Sequence, residues 1–246
     1  QDPDALSQVR NRLTDFPVRL DLIPSNFREA DRVLESLQVA SVNGLVADLG
    51  ISSDQLDNPV RGLSFQQEGP LDMRLDPHGP ITAADLLERL SQKDLADLLF
   101  QYGQERFSRK IARFIVEQRA RNPIKTTRQL ATLCARAYGS RRGRIDPATR
   151  TFQALRIAVN DELGCLERLL ALLPTLLAPG GRAVIISFHS LEDRLVKHAF
   201  RQWAREGGAR LLTAKPEQPT EQQIAANRRS RSAKLRALIR SQEDRT

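Results

Sequence analysis

Asp48 closes the apolar run Val42–Leu49 (VNGLVADL) and is followed almost at once by Gly50. A carboxylate at such a strand tip can accept hydrogen bonds from an amine or a ribose hydroxyl, and a glycine beside it lets backbone approach a ligand. The plain alternative, which this feature taken alone favours, is an ordinary strand-end turn with Asp48 serving as a cap. Ser52, Ser53 and Gln55 follow on the same loop and add donors and acceptors. A second polar cluster, Ser187, His189, Ser190, Glu192 and Asp193, closes another apolar run. Its residue types suggest a Ser-His-Asp hydrolase, but the G-x-S-x-G elbow is absent and no glycine adjoins either serine. The alternative is structural, with His189 and Glu192 tying the loop to the next helix cap. Asp72 and Arg74 flank the only methionine, and either pin their loop or touch a substrate. Gln153, Arg156 and Asn160 share one helix face by spacing, while Phe152, Leu155 and Val159 share another. That polar face can reach phosphates and base edges, or serve as an inter-domain face.

The elements that must hold these groups follow from periodicity. Residues 2–15 read as a short amphipathic helix, Val18–Ile23 as a strand by alternation, and Phe27–Leu37 as a helix. Val42–Leu49 is a compact strand. Ile51–Pro80 is a long polar loop, too long to be idle. Helices are expected near 82–90, 92–101, 105–121 and 126–138, with Thr82 and Asp85 as a capping box and Asn122-Pro123 as a stop. Ser140–Arg144 is a basic loop. A helical pattern over 148–177 breaks near Pro174 and ends at Pro179-Gly180-Gly181. Arg182–Phe188 is a buried strand and Leu191–Arg205 a helix, and SAKLRALIR near the end suits strand or helix. This alternation predicts an α/β, doubly wound, mainly parallel sheet carrying an inserted helical domain. Ligands bind such sheets off the carboxyl ends of the strands, where Asp48 and Ser187–Ser190 stand.

The 246 residues carry 38 Lys+Arg against 30 Asp+Glu, a formal net charge of +8. The charge is divided: residues 1–103 are net −8, 104–150 net +10, 151–204 net +1 and 205–246 net +5. Two basic blocks of this kind suit a polyanion such as nucleic acid, although each alone also suits a solvated helix face. Two distant cysteines, Cys134 and Cys165, argue against a disulfide scaffold or structural zinc. No signal peptide and no apolar run of about 18 residues is present, so a cytosolic protein with no membrane partner is expected. Gln1 stands where a start would place Met, which suggests a fragment.

Several of these segments together resemble one family. Asp48–Gln55 (DLGISSDQ), Arg61–Phe65 (RGLSF), Gly69–Pro77 (GPLDMRLDP), Tyr102–Phe107 (YGQERF), Ala148–Asn160 (ATRTFQALRIAVN), Ser187–Arg194 (SFHSLEDR) and Asn227–Arg236 (NRRSRSAKLR) resemble the bacterial 16S ribosomal RNA cytosine-N4 methyltransferases. The resemblance implies a class I, Rossmann-like methyltransferase sheet with an inserted all-helical domain. It divides the chain at 1–80, 81–146 and 147–246. It also implies S-adenosylmethionine as methyl donor and, as acceptor, the amine of decoding-site cytosine 1402 in 16S RNA, within the small ribosomal subunit. Carried over by position, Phe27, Asp48 and Gln55 contact the cofactor. Asp48 is the candidate catalytic residue, and no metal is needed. Asp48 stands where amino methyltransferases place the acid of a D/S-P-P-Y motif, but Leu49-Gly50 follows it and the motif's aromatic is missing. The opening Gln1-Asp2-Pro3-Asp4 resembles the stretch just after the family's ribose-binding aspartate, with Asp2 matching the second acid of a D-x-D-P run. The first strand and the Gly-rich loop are therefore expected to be missing, and the cofactor to be held poorly. The alternatives are a truncated, noncatalytic RNA-binding remnant and a methyltransferase acting on DNA.

Overall fold

The computed structural model describes residues 3–13, 17–140, 143 and 145–242. The Asp2 match and most of the Ser140–Arg144 loop lie outside the described residues. The chain forms two compact units, Ile51–Glu162 and Pro3–Gly50 with Leu163–Thr246.

In chain order, α1 (Pro3–Arg12), a 3-10 turn (Phe27–Glu29), α2 (Ala30–Ser36) and β1 (Val42–Asp48) come first. The helical unit follows, with α3 (Ser53–Asp57), α4 (Ala83–Arg89), α5 (Gln92–Gly103), α6 (Ser108–Arg119), α7 (Thr127–Tyr138) and α8 (Thr149–Asn160). Then come α9 (Glu162–Leu176), β2 (Leu177–Ser187), α10 (Ser190–Arg205), β3 (Ala209–Leu211), α11 (Glu221–Ala226), a 3-10 turn (Arg228–Ser232) and β4 (Lys234–Arg240). Side-chain caps start many of these helices. Thr82–Asp85, Thr126–Gln129 and Thr220–Gln223 each form a capping box, so orphan amides of the first turn are satisfied.

The helical unit is organised around one apolar cluster. Leu95, Leu99, Ile111, Ile115, Leu130 and Leu155 are fully buried there by α5–α8. The long polar loop is anchored in the same cluster by Leu71 and Met73. Its backbone is also stitched down: Leu71 N–H donates to the Lys125 carbonyl (2.9 Å) and Thr127 N–H to the Gly69 carbonyl (3.0 Å).

The second unit holds a four-stranded sheet of order β1-β2-β4-β3. Ala183, Ile185 and Leu238 are buried with Leu166, Leu170 and Leu173 of α9 and Val196 and Phe200 of α10. β1 and β2 are parallel, but β4 runs antiparallel to both β2 and β3. The sheet is thus α/β as expected; of its four strands among the described residues β1, β2 and β3 run in one direction and β4 alone is reversed. Helix–strand alternation signals crossovers, and α10 provides one. The link from β3 to β4 has only the two-turn α11, so β4 returns in the opposite direction between its neighbours.

Three local expectations change. Val18–Ile23 alternates like a strand but joins no strand ladder among the described residues, and an unpaired strand is not held. The break in the 148–177 helix falls at Asp161, with φ of 48°, while Pro174 stays inside α9. Pro174 lies in the last turn, and Arg240 Nη1 donates to its carbonyl (2.9 Å) and to that of Leu177 (2.5 Å), satisfying the helix end. Pro179-Gly180-Gly181 is an irregularity inside β2: Val42 pairs Leu177 and Gly44 already pairs Arg182. The ambiguous SAKLRALIR segment is strand β4. β3 and α11 had no counterpart in the sequence reading.

Candidate functional site

Parallel pairing brings the two polar strand tips side by side. Asp48 is the register partner of Ile186, and Leu49 N–H donates to the Ile186 carbonyl (3.0 Å). The chain then turns at Gly50, whose φ of 94° disfavours any side chain. A Cβ there would lie 3.6 Å from Phe188 Cδ2, an ordinary contact, so the glycine is required by backbone conformation rather than space.

Asp48 itself is exposed. Partial desolvation pushes its carboxyl above the ordinary carboxylate range, and nothing among the described residues donates to it or pairs with it. Register partners share a sheet face, so Asp48, Ile186 and Leu235 stand on one side of the sheet. Val46, 73% exposed, stands two residues back on that same side. This face is the one left open, opposite the face that carries the core residues Ala183 and Ile185.

Phe27, in the turn capped by Asn26, is 41% exposed. Its ring borders an open hollow of about 400 Å³ that runs along β1 at Val42, Gly44 and Val46. Asn26 is fixed in turn by a hydrogen bond from its Nδ2 to Cys165 Sγ (3.3 Å). Phe27 and Asp48 therefore belong to one unit. Gln55 belongs to the helical unit, where its Oε1 accepts from Ser52 N–H (3.0 Å) and its own N–H donates to Ser52 Oγ (3.1 Å). Gln55 is a capping residue of α3.

The Ser187–Asp193 cluster is a helix cap and a strand clamp. His189 Nδ1 accepts Glu192 N–H (3.3 Å), and Glu192 Oε2 accepts the amides of Phe188 (2.8 Å) and His189 (3.2 Å). Ser187 Oγ donates to the Lys234 carbonyl (3.3 Å), not to a histidine. Asp193 takes Arg236 Nε at 2.7 Å and Lys234 Nζ at 3.3 Å, locking α10 to β4. Burial works against ionisation of Asp193, but those two cations hold its carboxyl below the ordinary range. A hydrolase triad is not assembled.

The other polar groups flagged by spacing are used inside the helical unit. Arg74 and Asp72 form a bidentate pair (2.8 and 2.6 Å), and Arg74 Nη1 donates to the Gly79 carbonyl, so the pair pins the loop. Asn160 donates to the Met73 carbonyl (2.8 Å) and accepts Leu75 N–H (2.7 Å). Arg156 is bidentate on Glu162 (2.7 and 2.9 Å). The face that looked able to reach phosphates is thereby committed to local structure. The basic block remains outward: Arg109, Lys110, Arg113 and Arg136 are exposed, and three of them sit 4.3–5.7 Å from the Phe114 ring centre.

The sequence reading missed a groove beside β4, lined by Gln218, Gln223, Asn227 and Ala233 over Ile186 and Leu235. The signals were Thr220–Gln223, a capping-box spacing, and Asn227 as the cap of the next turn. No helix among the described residues is long and apolar enough to cross a membrane.

Residues 1–241 match the MraW methylase family. The chain is 49% identical to the ribosomal RNA small subunit methyltransferase H of Thermomicrobium roseum, over 99% of this chain and 79% of that protein. It is 49% identical to the protein of the same name from Geobacter sulfurreducens, over 96% of this chain and 82% of the relative. With a Rossmann-like α/β sheet, an open carboxylate at its parallel strand tips and a family match across almost its whole length, this chain is a member of the MraW methylases.

Proposed function

We propose that the chain methylates the N4 amine of a cytosine in small-subunit ribosomal RNA, the decoding-site cytosine 1402, with S-adenosylmethionine as donor. The observation that carries this reading is Asp48, a partly desolvated carboxylate with no partner among the described residues, on the open face at the end of β1. When bound, S-adenosylmethionine supplies an electrophilic methyl group on a sulfonium. The exposed Phe27 ring beside a 400 Å³ hollow, and Asp48 two residues beyond that hollow's Val46 on β1, suit such a cationic, partly aromatic group. Gln55 is kept as a cofactor contact on the resemblance alone.

The cytosine amine is a poor nucleophile because its lone pair is delocalised into the ring. Asp48 accepts one N–H of that amine, turns the amine toward the reacting carbon and localises the lone pair. As the N–C bond would form, the S–C bond of the sulfonium would break and leave a neutral thioether; the nitrogen would become cationic, and Asp48 would take the proton it sheds, which restores a neutral methylated amine. A carboxylate with a raised proton affinity is suited to that transfer. The target base must be unstacked to reach a strand tip, and the basic blocks at 104–150 and 205–246 support a grip on the surrounding RNA.

Incubation with S-adenosylmethionine carrying a labelled methyl group and unmodified 16S RNA, followed by nucleoside analysis, tests the proposal. Label in N4-methylcytidine is the expected result. RNA binding without any methylated nucleoside would favour the noncatalytic remnant.

A further inference from the structure

The open sheet face continues past Asp48 into a groove that the proposed chemistry does not use. Asp48, Ile186 and Leu235 are consecutive register partners on β1, β2 and β4. Ile186 and Leu235 floor a hollow of about 450 Å³ roofed by residues 217–233. A second hollow of about 210 Å³ shares its Gln218 and Ala233 walls and is lined by Arg231, Lys234 and Phe188. The larger space is apolar at its floor and amide-bearing at its rim. Gln223 Oε1 is taken by the Thr220 amide (2.8 Å) and Asn227 Oδ1 by the Arg229 amide (3.1 Å), which leaves the amide nitrogens as donors. Glu217 also enters the lining, but its backbone is paired with Leu235 in both directions at 2.9 Å. Arg231, exposed, lines the smaller hollow, and exposed Arg228 and Arg229 belong to the same 3-10 turn as Arg231.

We propose that this groove seats one unpaired nucleotide of the ribosomal RNA, adjacent to the cytosine being modified, with its base on Ile186 and Leu235 and its phosphate at Arg231. The inference rests on the methyltransferase reading and adds a binding subsite to it. An apolar floor with donor amides at the edge matches a base face and its carbonyl and ring-nitrogen acceptors, and the arginines match the backbone charge. The register pairs set the floor one strand (Ile186) and two strands (Leu235) from Asp48, roughly 5 and 10 Å across the sheet, within reach of a nucleotide next to the target base.

The test uses the whole chain, a single-stranded RNA oligonucleotide of the decoding-site sequence, and 4-thiouridine placed beside the target cytosine. Irradiation is expected to cross-link the modified nucleotide to a peptide within residues 217–235. Ala226→Trp, which fills the groove from an exposed position, is expected to weaken RNA binding about tenfold in fluorescence anisotropy, with S-adenosylmethionine binding by calorimetry unchanged. Arg231→Glu is expected to weaken RNA binding and to flatten its salt dependence by about one ion. Circular dichroism checks that both variants fold. Unchanged RNA affinity in both, or a cross-link mapped elsewhere, overturns the subsite while leaving the methyl-transfer reading standing. Loss of S-adenosylmethionine binding in Ala226→Trp also overturns it, because the groove would then be the cofactor's. A wild-type chain that binds neither probe overturns the methyltransferase reading and the subsite together.

Discussion

Asp48 and Ile186 face one another across the parallel β1–β2 ladder, and the amide after Asp48 donates to the Ile186 carbonyl at 3.0 Å. That pairing fixes the side of the sheet on which the carboxylate stands. A one-residue slip would turn Asp48 toward the core and Ala47 toward solvent. The chemistry proposed for the chain depends on this register.

Asp48 is expected to cost stability at neutral pH. Desolvation raises its pKa in the fold, so between the ordinary carboxylate value and the raised one the folded state binds more protons than the unfolded chain. Above that window the penalty is fully present. Asp48→Asn should therefore raise the urea midpoint slightly at pH 7, and the gain should vanish in acid, where both states are protonated. A loss of stability at pH 7 would contradict the placement of the carboxyl.

Asp193 carries the opposite sign. Its pKa is lowered in the fold by Arg236 and Lys234, so its contribution is present above the unfolded value and is lost as pH falls through the folded one. Its side chain is 13% exposed and that of Arg236 only 8%. Asp193→Ala leaves a buried guanidinium unpaired and should cost about 3–5 kcal/mol at pH 7. Denaturant titration at pH 7 and in acid measures both the loss and its disappearance.

Asn160→Ala removes the acceptor for Leu75 N–H and the donor to the Met73 carbonyl. A cost of about 1–3 kcal/mol is expected, since two backbone groups of the loop lose their partner. Hydrogen exchange should show faster exchange at the Leu75 amide, while the sheet amides of β2 keep their protection.

Tyr138 donates to both carboxylate oxygens of fully buried Glu105 at 3.0 and 2.8 Å. Burial and that carboxylate push the phenol up to about 12. The difference absorbance between wild type and Tyr138→Phe should therefore show no tyrosinate below about pH 11. Ionisation near pH 10 would mean that Tyr138 is not held against Glu105.

Much of this architecture was legible where local signals and burial agree. The helices 82–90 and 126–138 begin at the expected threonines: the Thr82–Asp85 capping box forms as read, and Thr126 with Gln129 forms a second one that the sequence reading did not name. Val42–Leu49 is a strand because its apolar residues find β2 as a partner. Val18–Ile23 has the same quality of pattern and no partner among the described residues, so alternation alone did not make it a strand. The direction of β4 was beyond local reading, since it depends on how the chain returns from β3. At the candidate site, Asp48 was singled out by its position at a strand tip, and the structure places it at the end of β1. The groove over Ile186 and Leu235 was not, because its lining comes from α11, a 3-10 turn and two strands that only tertiary pairing brings together.

In the proposed reaction Asp48 takes the proton that the cytosine amine sheds during methyl transfer. Mass spectrometry of nucleosides from unmodified 16S RNA, incubated with S-adenosylmethionine and either the wild-type chain or Asp48→Ala, tests it most directly. N4-methylcytidine is expected with the wild type, and its rate of formation is expected to fall by at least about 100-fold in the variant. Formation at the wild-type rate by Asp48→Ala would contradict the account.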